Sequence, residues 1–407
     1  MSATTEKPAS AEAIRPFTFE VTANEIEDLR TRIVSARLPE RETVPDSSKG
    51  VELATMQALV EYWGSKYDFG RVAARLNAHP QFITEIDGLD IHFIHVKSKH
   101  DGAMPVLLTH GWPGSVVEFL STIEPLTDPT SYGGKAEDAF HVVIPSIPGY
   151  GSSGKPAETG WGVDRIADAW IALMERLGYD RYAAQGGDWG ALITDIMAVK
   201  APPELIGIHS NMPGILPPEI GSRFVPLSVQ PAPDGLSAEE QATYERLTFV
   251  YNAGVSYAVE MAIRPQTLYG IADSPVGLAA WMLDHDMWSY EDIAQAFVDN
   301  KPVDNLTRDE VLDNITYTWL TNTGISSARL YAENTLGFFD AKGVNPKIPV
   351  AVSVFPRELY QAPRSWTERA YPNLIYYNRV DRGNHFAAWQ EPQLFTEELR
   401  AGFASLR

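Results

Sequence analysis

The chain has 407 residues, 44% of them hydrophobic and 21% charged, which is the composition of a globular protein with a sizeable buried core. The formal charge of −20 disfavours nucleic acid and anionic membranes as partners, because both are polyanions. The sequence contains no cysteine, so disulfides, thiolate metal sites and cysteine nucleophiles are excluded.

The first 80 residues predict a helical extension that wraps the rest of the protein. Residues 1–15 are predicted to be disordered, and they lack the apolar core of a signal peptide. A helical pattern then runs from Thr22 to Pro39, with apolar residues at Ile26, Leu29, Ile33 and Leu38. Two further helices are predicted in residues 51–77. No run of about 18 apolar residues occurs, so we expect a soluble cytoplasmic protein without a membrane anchor.

Strand signals begin near residue 82, where ITEIDGLDIHFIHV predicts a hairpin that turns at Asp87-Gly88. Apolar runs then alternate with helical patterns, which predicts an α/β core with a mainly parallel sheet and helices on both faces. The runs are residues 105–109, 141–144, 181–185, 205–209, 348–355 and 374–378.

Aromatic-rich helical segments replace the strand signals between residues 212 and 342. We therefore expect four parts: the extension (1–80), the first part of the core (81–211), an inserted helical lid (212–342) and the second part of the core (343–407).

The pentapeptide Gly186-Gly187-Asp188-Trp189-Gly190 follows the third apolar run. It resembles the G-x-nucleophile-x-G turn of α/β-hydrolases, with aspartate in place of serine or cysteine. Such a turn exposes its central side chain at the carboxyl end of the sheet, where open α/β sheets bind ligands. The alternative is that Asp188 only caps the helix that starts at Trp189.

A second motif, His110-Gly111-Trp112-Pro113-Gly114-Ser115, directly follows the first apolar run. In α/β-hydrolases an N–H group from this loop and the N–H after the nucleophile bind an oxyanion together. Here those donors are predicted to be the backbones of Trp112 and Trp189. Taken alone, the hexapeptide is also compatible with a simple glycine-rich turn.

The general base is predicted to be His385, because the base follows the nucleophile and the acid in chain order and only this histidine lies beyond the last predicted strand. The other eight are assigned structural roles: His92 and His95 lie in the hairpin, His110 in the turn motif, and His79, His100, His141, His209 and His285 show no partner pattern. The orienting acid is predicted to be Glu358, directly after a strand, with Asp381 as its rival.

Several motifs occur together and in order: RPFTFEVTANEIEDLRTRIVSARLPE (15–40), HGWPGS, GGDWG, FPREL (355–359) and GNHFAAWQEP (383–392). From about residue 15 to 405 the chain resembles the microsomal-type epoxide hydrolase family. The resemblance implies that Asp188 is the nucleophile, that Glu358 and His385 activate water, and that no cofactor or metal takes part.

The resemblance also implies two lid tyrosines that donate hydrogen bonds to the epoxide oxygen. The segments NAGVSY (252–257) and SSARLYAEN (326–334) are similar to those that carry them, and they indicate Tyr257 and Tyr331. Trp112, Trp189 and Phe386 are expected to line the substrate site. The expected partners are a small hydrophobic epoxide and water, whereas the oligomeric state, a homodimer included, stays open.

An aspartate nucleophile suits this chemistry because a carboxylate can open a strained ring when acids protonate the leaving oxygen, and the resulting ester can be hydrolysed. The main alternative is a haloalkane dehalogenase, which also carries aspartate followed by tryptophan at this turn. A serine esterase is disfavoured because no G-x-S-x-G occurs. A third possibility is a non-catalytic relative that binds a ligand or a protein. Such a protein would be expected to lack a catalytic residue, and none is missing here.

Overall fold

The computed structural model describes residues 12–334 and 343–407. In this part of the chain the strands are β1 (Arg15–Phe17), β2 (Gln81–Ile86), β3 (Leu89–Val96), β4 (Met104–Thr109), β5 (Phe140–Pro145), β6 (Tyr182–Gly186), β7 (Leu205–Ser210), β8 (Val350–Val354) and β9 (Leu374–Arg379). They form one sheet in the order β1-β2-β3-β5-β4-β6-β7-β8-β9.

The predicted mainly parallel sheet is confirmed. Strands β1, β2, β3 and β5 pair antiparallel, and every pair from β5 to β9 is parallel. The predicted hairpin joins β2 to β3 through Asp87 and Gly88, whose φ angles of 52° and 79° give the twist that a two-residue hairpin turn requires. All six apolar runs became strands, and β1 is an additional short edge strand.

The helices are α1 (Ala23–Val34), α2 (Leu53–Ser65), α3 (Arg71–Asn77), α4 (Leu120–Thr127), α5 (Val163–Arg176), α6 (Trp189–Lys200), α7 (Pro218–Gly221), α8 (Ala238–Phe249), α9 (Ser256–Ile263), α10 (Tyr269–Asp273), α11 (Pro275–Leu283), α12 (Met287–Val298), α13 (Arg308–Leu320), α14 (Gly324–Glu333), α15 (Arg364–Ala370), α16 (Ala387–Gln390) and α17 (Pro392–Gly402). We call α7–α14 the lid. Within the described residues, no helix combines the length and the apolar character needed to cross a bilayer.

The start of α1 is set by a capping box between Thr22 and Glu25. The prediction that this helix continues through Leu38 was wrong, since α1 ends at Val34. The Ser35 hydroxyl donates to the Thr31 carbonyl, which competes with helix continuation, and the residue before Pro39 is disfavoured from helical geometry.

The predicted disorder of residues 12–15 was also wrong, whereas that of residues 1–11, like the predicted lid end at 342, lies outside the described residues. Arg15 begins β1, and the Glu12 carbonyl accepts a hydrogen bond from Thr84 Oγ1 at 3.0 Å.

Alternating side chains of the central strands pack into two separate hydrophobic cores, one on each face of the sheet. In β4, Leu107 packs with α5 and α6, whereas Val106 and Leu108 pack with α4 and α17. The first of these cores contains Ile166, Ala169, Trp170 and Leu173, which lie on one face of α5. The sheet edge that carries the ends of β4, β6, β8 and β9 is therefore fixed from both sides.

A third core joins the N-terminal helices to the lid. It contains Leu29, Ile33, Leu59 and Trp63 from α1 and α2, and Leu278, Ile293, Leu312 and Ile315 from α11, α12 and α13. An ionic cluster strengthens the same contact: Arg71 and Arg75 on α3 pair with Glu310 and Asp313 on α13, and Tyr67 donates to Asp313 at 2.8 Å.

We predict that Asp313→Ala lowers the free energy of unfolding by about 3 kcal/mol, the lower end for breaking a buried ion pair, because Glu310 alone then faces the two largely buried guanidinium groups. The matched control is Glu27→Ala, whose side chain is 72% exposed and 3.8 Å from Arg30. That change should stay within about 0.5 kcal/mol. Urea denaturation compares the two, and equal midpoints would show that the cluster contributes nothing to stability.

Candidate active site

Asp188 lies between β6 and α6 in a strained backbone conformation, with φ 50° and ψ −129°. Such conformations cost of order 1–3 kcal/mol and persist only where the surroundings hold them. Here the surrounding chain leaves no room for a side chain at either flanking glycine. A Cβ on Gly186 would lie 2.0 Å from the Gly190 carbonyl oxygen, and a Cβ on Gly190 would lie 2.0 Å from the Thr109 carbonyl oxygen. The Asp188 side chain makes no capping hydrogen bond to α6, so helix capping does not explain its presence.

The loop after β4 places a hydrogen-bond donor directly on this carboxylate. The Trp112 N–H donates to Oδ1 of Asp188 at 2.8 Å. A Cβ on Gly111 would lie 2.2 Å from the same oxygen, so only glycine lets the loop approach this closely. Trp189, the other predicted donor, is the first residue of α6 and lines a cavity together with Asp188.

His385 and Glu358 lie in the loops after β9 and β8. A bridge between Arg357 and Asn384 holds the two loops side by side. His385 Nδ1 is 2.5 Å from Glu358 Oε1, and His385 Nε2 is 3.3 Å from Asp188 Oδ2. The rival acid Asp381 is instead 85% exposed and pairs with Arg382, so the acid that contacts His385 is Glu358.

The charges in this cluster stabilise one another. Burial lowers the pKa of His385, but the carboxylates of Glu358 and Asp188 outweigh burial and hold that pKa well above its ordinary value. Burial raises the pKa of Asp188, but His285 and His385 reverse that effect and hold it well below its usual range. Asp188 is therefore ionised at neutral pH, as a nucleophile must be.

His285, which the sequence analysis assigned a structural role, lies beside Asp188. Its Nε2 is 3.7 Å from Asp188 Oδ2, its Nδ1 is 3.1 Å from Asp286, and its ring is 4.7 Å from the ring of His385. Burial lowers the pKa of His285, yet the interactions with Asp188 and Asp286 raise it above its ordinary value. The sequence feature that could have indicated this position in the site is the aspartate on either side of the histidine, in Asp284-His285-Asp286.

Asp188, His285 and His385 each offer a ligand atom within 4.8 Å of the others, so this cluster has the composition of a metal site. Each imidazole also has a carboxylate at Nδ1, as metal-binding histidines commonly do. Two of the three groups are the carboxylate and the imidazole of the predicted nucleophile and base. A metal ion bound here would withdraw both from the reaction.

Tyr257 on α9 and Tyr331 on α14 face the same site from the lid. The Tyr257 ring stacks on Trp112 at 4.8 Å, and the Tyr331 ring meets the Trp189 ring edge-on at 4.8 Å. Burial, together with the charge of Asp188, raises the pKa of both phenols well above 10. Both hydroxyls therefore stay protonated at neutral pH and can act as hydrogen-bond donors.

A small apolar cavity of about 50 Å³, which we call the inner cavity, borders Asp188 and both tyrosines. Its other lining residues are Trp189, Leu192, Met212, Leu247, Val250, Tyr251, Val255, Leu359 and Tyr360. A larger cavity of about 770 Å³, the outer cavity, shares Tyr257 and Leu359 with it and reaches residues 46–50 at the surface. Phe386 lies behind His385, with the rings 4.8 Å apart, and lines neither of these cavities.

The fold and the strained aspartate turn define an α/β-hydrolase, and residues 104–266 match the family described as "alpha/beta hydrolase fold". Residues 14–119 match the family described as "Epoxide hydrolase N terminus". The chain is 35% identical to Epoxide hydrolase 1 of Oryctolagus cuniculus, over 95% of this chain and 88% of that protein. It is 50% identical to a protein of Stigmatella aurantiaca that is described as an epoxide hydrolase, over 97% of this chain and 86% of that one.

Solved structures of epoxide hydrolases are also similar to this chain. The juvenile hormone epoxide hydrolase of Bombyx mori superposes with a TM-score of 0.83 at 30% identity, over 97% of this chain and 95% of its own. The Aspergillus niger epoxide hydrolase gives a TM-score of 0.80 at 29% identity, over 99% of both chains. This chain belongs to the epoxide hydrolase family.

We predict that Glu358→Gln lowers turnover by up to about 10²- to 10⁴-fold, the contribution of the general base His385 that Glu358 orients, whereas the matched variant Asp381→Asn stays close to wild type. Because the Glu358 charge raises the pKa of His385, its loss should also move the acidic limb of the pH–rate profile to lower pH. Steady-state kinetics over a pH series measures both effects. A larger loss in Asp381→Asn would assign the acid to that residue instead.

Proposed function

We propose that this chain converts hydrophobic epoxides to vicinal diols through a covalent ester on Asp188. The observation that carries the proposal is the position of the Asp188 carboxylate. It borders the inner cavity with two buried phenols, and the imidazole of a Glu358–His385 pair lies 3.3 Å away. A nucleophile, acids for the leaving oxygen and a base for water are thus within reach of one substrate.

In the first step, an Asp188 oxygen attacks a ring carbon of the epoxide. The C–O bond of the ring breaks, and the oxygen that leaves takes a proton from one of Tyr257 and Tyr331 and a hydrogen bond from the other. Oδ1 accepts from the backbone N–H of Trp112, one of the predicted oxyanion donors, so we assign the attack to Oδ2, which lies beside His385 and His285. The product is a hydroxyalkyl ester whose carbonyl oxygen is Oδ1.

In the second step, His385 Nε2 takes a proton from water while the water oxygen bonds to the ester carbonyl carbon. The negative charge that develops on Oδ1 is stabilised by the backbone N–H of Trp112, with Trp189 as the second donor. Collapse of this intermediate breaks the ester bond, and His385 passes its proton to the diol oxygen that leaves. The second proton of the water returns to the tyrosine that gave up its proton in the first step, which restores the Asp188 carboxylate. A serine nucleophile would form an ether, which this machinery cannot hydrolyse.

The lining of the inner cavity supports a hydrophobic substrate. Apart from Asp188 its residues are aliphatic or aromatic, and an apolar group gains free energy by leaving water for such a site. The outer cavity gives a route from the surface and leaves room for a substituent larger than the inner cavity can hold.

We predict that a single turnover with enzyme in excess, in water labelled with oxygen-18, yields an unlabelled diol. The new diol oxygen comes from the Asp188 carboxylate, and the labelled water oxygen stays on Asp188. Mass spectrometry of the diol and of the peptide that contains Asp188 measures both. Label in the first diol with none in the peptide would mean that water attacks the epoxide directly and would overturn the covalent mechanism.

Two variants are the controls for that experiment. Asp188→Ala should form neither ester nor diol. His385→Gln should form the ester but hydrolyse it very slowly, because it lacks the base for water. Circular dichroism confirms that each variant is folded.

We also predict that Tyr257→Phe and Tyr331→Phe each slow ester formation, and that the double variant is nearly inactive in this step. Removing a donor to developing charge costs about 10²- to 10³-fold, and either tyrosine covers part of the loss of the other. Tyr244→Phe is the control, since this lid tyrosine donates to the Gln230 carbonyl, away from the inner cavity. Stopped-flow kinetics measures ester formation. Full activity of the double variant would exclude the tyrosines as acids.

A further inference from the structure

A third cavity, of about 20 Å³, borders Asp188 and is separate from the inner cavity; we call it the polar cavity. Its lining includes Thr109, Gln185, Glu118 and His385. Of the described residues, only Asp188 lines both the inner and the polar cavity. The same carboxylate therefore has an apolar cavity for one reactant and a polar cavity beside it.

Four residues of the polar cavity hold a buried polar atom that has no hydrogen-bond partner among the described residues. These atoms are Thr109 Oγ1, Gln185 Oε1, Glu118 Oε1 and His385 Nε2. Leaving such a group unsatisfied costs about 1–3 kcal/mol, and four in one place call for a common partner. A cavity of this size accommodates one water molecule, which needs two to four polar partners.

Glu118 is held in this position by local structure. It lies in the 3-10 turn Val116–Phe119, which Ser115 caps through a hydrogen bond from the Val117 N–H. A Cβ on Gly114 would lie 1.3 Å from Glu118 Oε1, so the glycine of the turn motif makes room for this carboxyl group. The side chain of Glu118 is 7% exposed, and no arginine or lysine is among the groups that act on it.

Burial and the charge of Asp188 raise the pKa of Glu118 to about 8, although His385 and the backbone N–H groups of Gly111 and Ser115 act in the opposite direction. At neutral pH Glu118 is therefore a neutral acid and can donate a hydrogen bond. Gln185 is an acceptor at Oε1, because its Nε2 donates to Asn211 at 3.0 Å. While Asp188 is ionised, His385 Nε2 faces its Oδ2 at 3.3 Å, and the raised pKa keeps the imidazole protonated. Once Asp188 is an ester, His385 can lose the Nε2 proton while Nδ1 keeps its proton towards Glu358, and Nε2 is then an acceptor.

We propose that the polar cavity binds the hydrolytic water and that Glu118 is a positioning residue for it; the inference rests on the proposed function. The water accepts a hydrogen bond from Glu118 and donates its two protons to Gln185 Oε1 and His385 Nε2. Its second lone pair is left to attack the ester carbon of Asp188. During the attack the proton facing His385 moves to Nε2, and Glu118 keeps its own.

The test separates ester formation from ester hydrolysis. Rapid quench and mass spectrometry of the Asp188 peptide follow the ester in wild type, Glu118→Gln and Glu118→Leu. We expect Glu118→Leu to form the ester at near wild-type rate but to hydrolyse it about 10- to 100-fold more slowly, since displacement of a reactant by about 1 Å has this effect. Glu118→Gln keeps a donor of the same shape and should lose clearly less.

A pH series adds a readout that a purely structural role would not change. The charged groups that act on Glu118 are Asp188 and His385, and its raised pKa keeps it protonated up to about pH 8. In the ester the Asp188 charge is gone, but burial, the largest cause of the raised pKa, remains. Ester hydrolysis in wild type should therefore decline at alkaline pH as the donor is lost. Glu118→Gln cannot lose this proton and should lack the decline.

Gln185→Leu provides a second variant if Glu118→Leu does not fold, because it removes another partner of the same water and should also slow hydrolysis selectively. Normal hydrolysis in these variants, or equal slowing of both steps, would overturn the inference. Failure of the proposed function has a different signature, since then no ester forms on Asp188 even in wild type.

Discussion

The site depends on one backbone turn. Asp188 adopts a positive φ between a central strand and a helix, and this strain is retained because the neighbouring chain leaves no other path. Gly186 and Gly190 let the turn close, and Gly111 lets the loop after β4 approach the carboxylate. Both faces of the sheet are packed, so the turn cannot relax by moving its strand. The strain thus aims the side chain away from α6 and towards the cavities, where it can react.

The electrostatics of the site follow from placing one carboxylate among groups that favour its charge. A buried carboxylate alone would tend to be protonated, and thus unreactive, at neutral pH. Here two imidazoles lie within 4 Å of Oδ2, and each has a carboxylate of its own at Nδ1. When Asp188 becomes a neutral ester in the proposed first step, its contribution to the raised pKa of His385 disappears, whereas that of Glu358 remains. In the proposed mechanism, ester formation therefore favours His385 as the proton acceptor for the second step.

The parts of the site that were predicted from the sequence lie in contiguous motifs: the turn at Asp188, the loop of Trp112, and the ends of two strands that carry Glu358 and His385. Local pattern fixes such residues, because strand ends of a parallel sheet meet at one edge. His285 and Glu118 were not found, since their roles arise only when the lid and a short turn fold onto that edge. The end of α1 was misplaced for a related reason, because competition from one side-chain hydrogen bond is not visible in periodicity.

The two cavities beside Asp188 provide separate places for the two proposed reactants, the epoxide and the water. In the proposed reaction, an epoxide in the inner cavity contacts the tyrosines and the Asp188 carboxylate. It does not contact the polar cavity, because among the described residues only Asp188 lines both cavities. The water that we propose for the polar cavity would therefore lie beside the Asp188 carboxyl group and away from the epoxide. Direct hydration of the epoxide would need a base for water in the inner cavity, and among the described residues that line it the only carboxylate is that of Asp188 itself. Separation of the two reactants around one carboxylate is thus what favours a covalent intermediate over a single-step reaction.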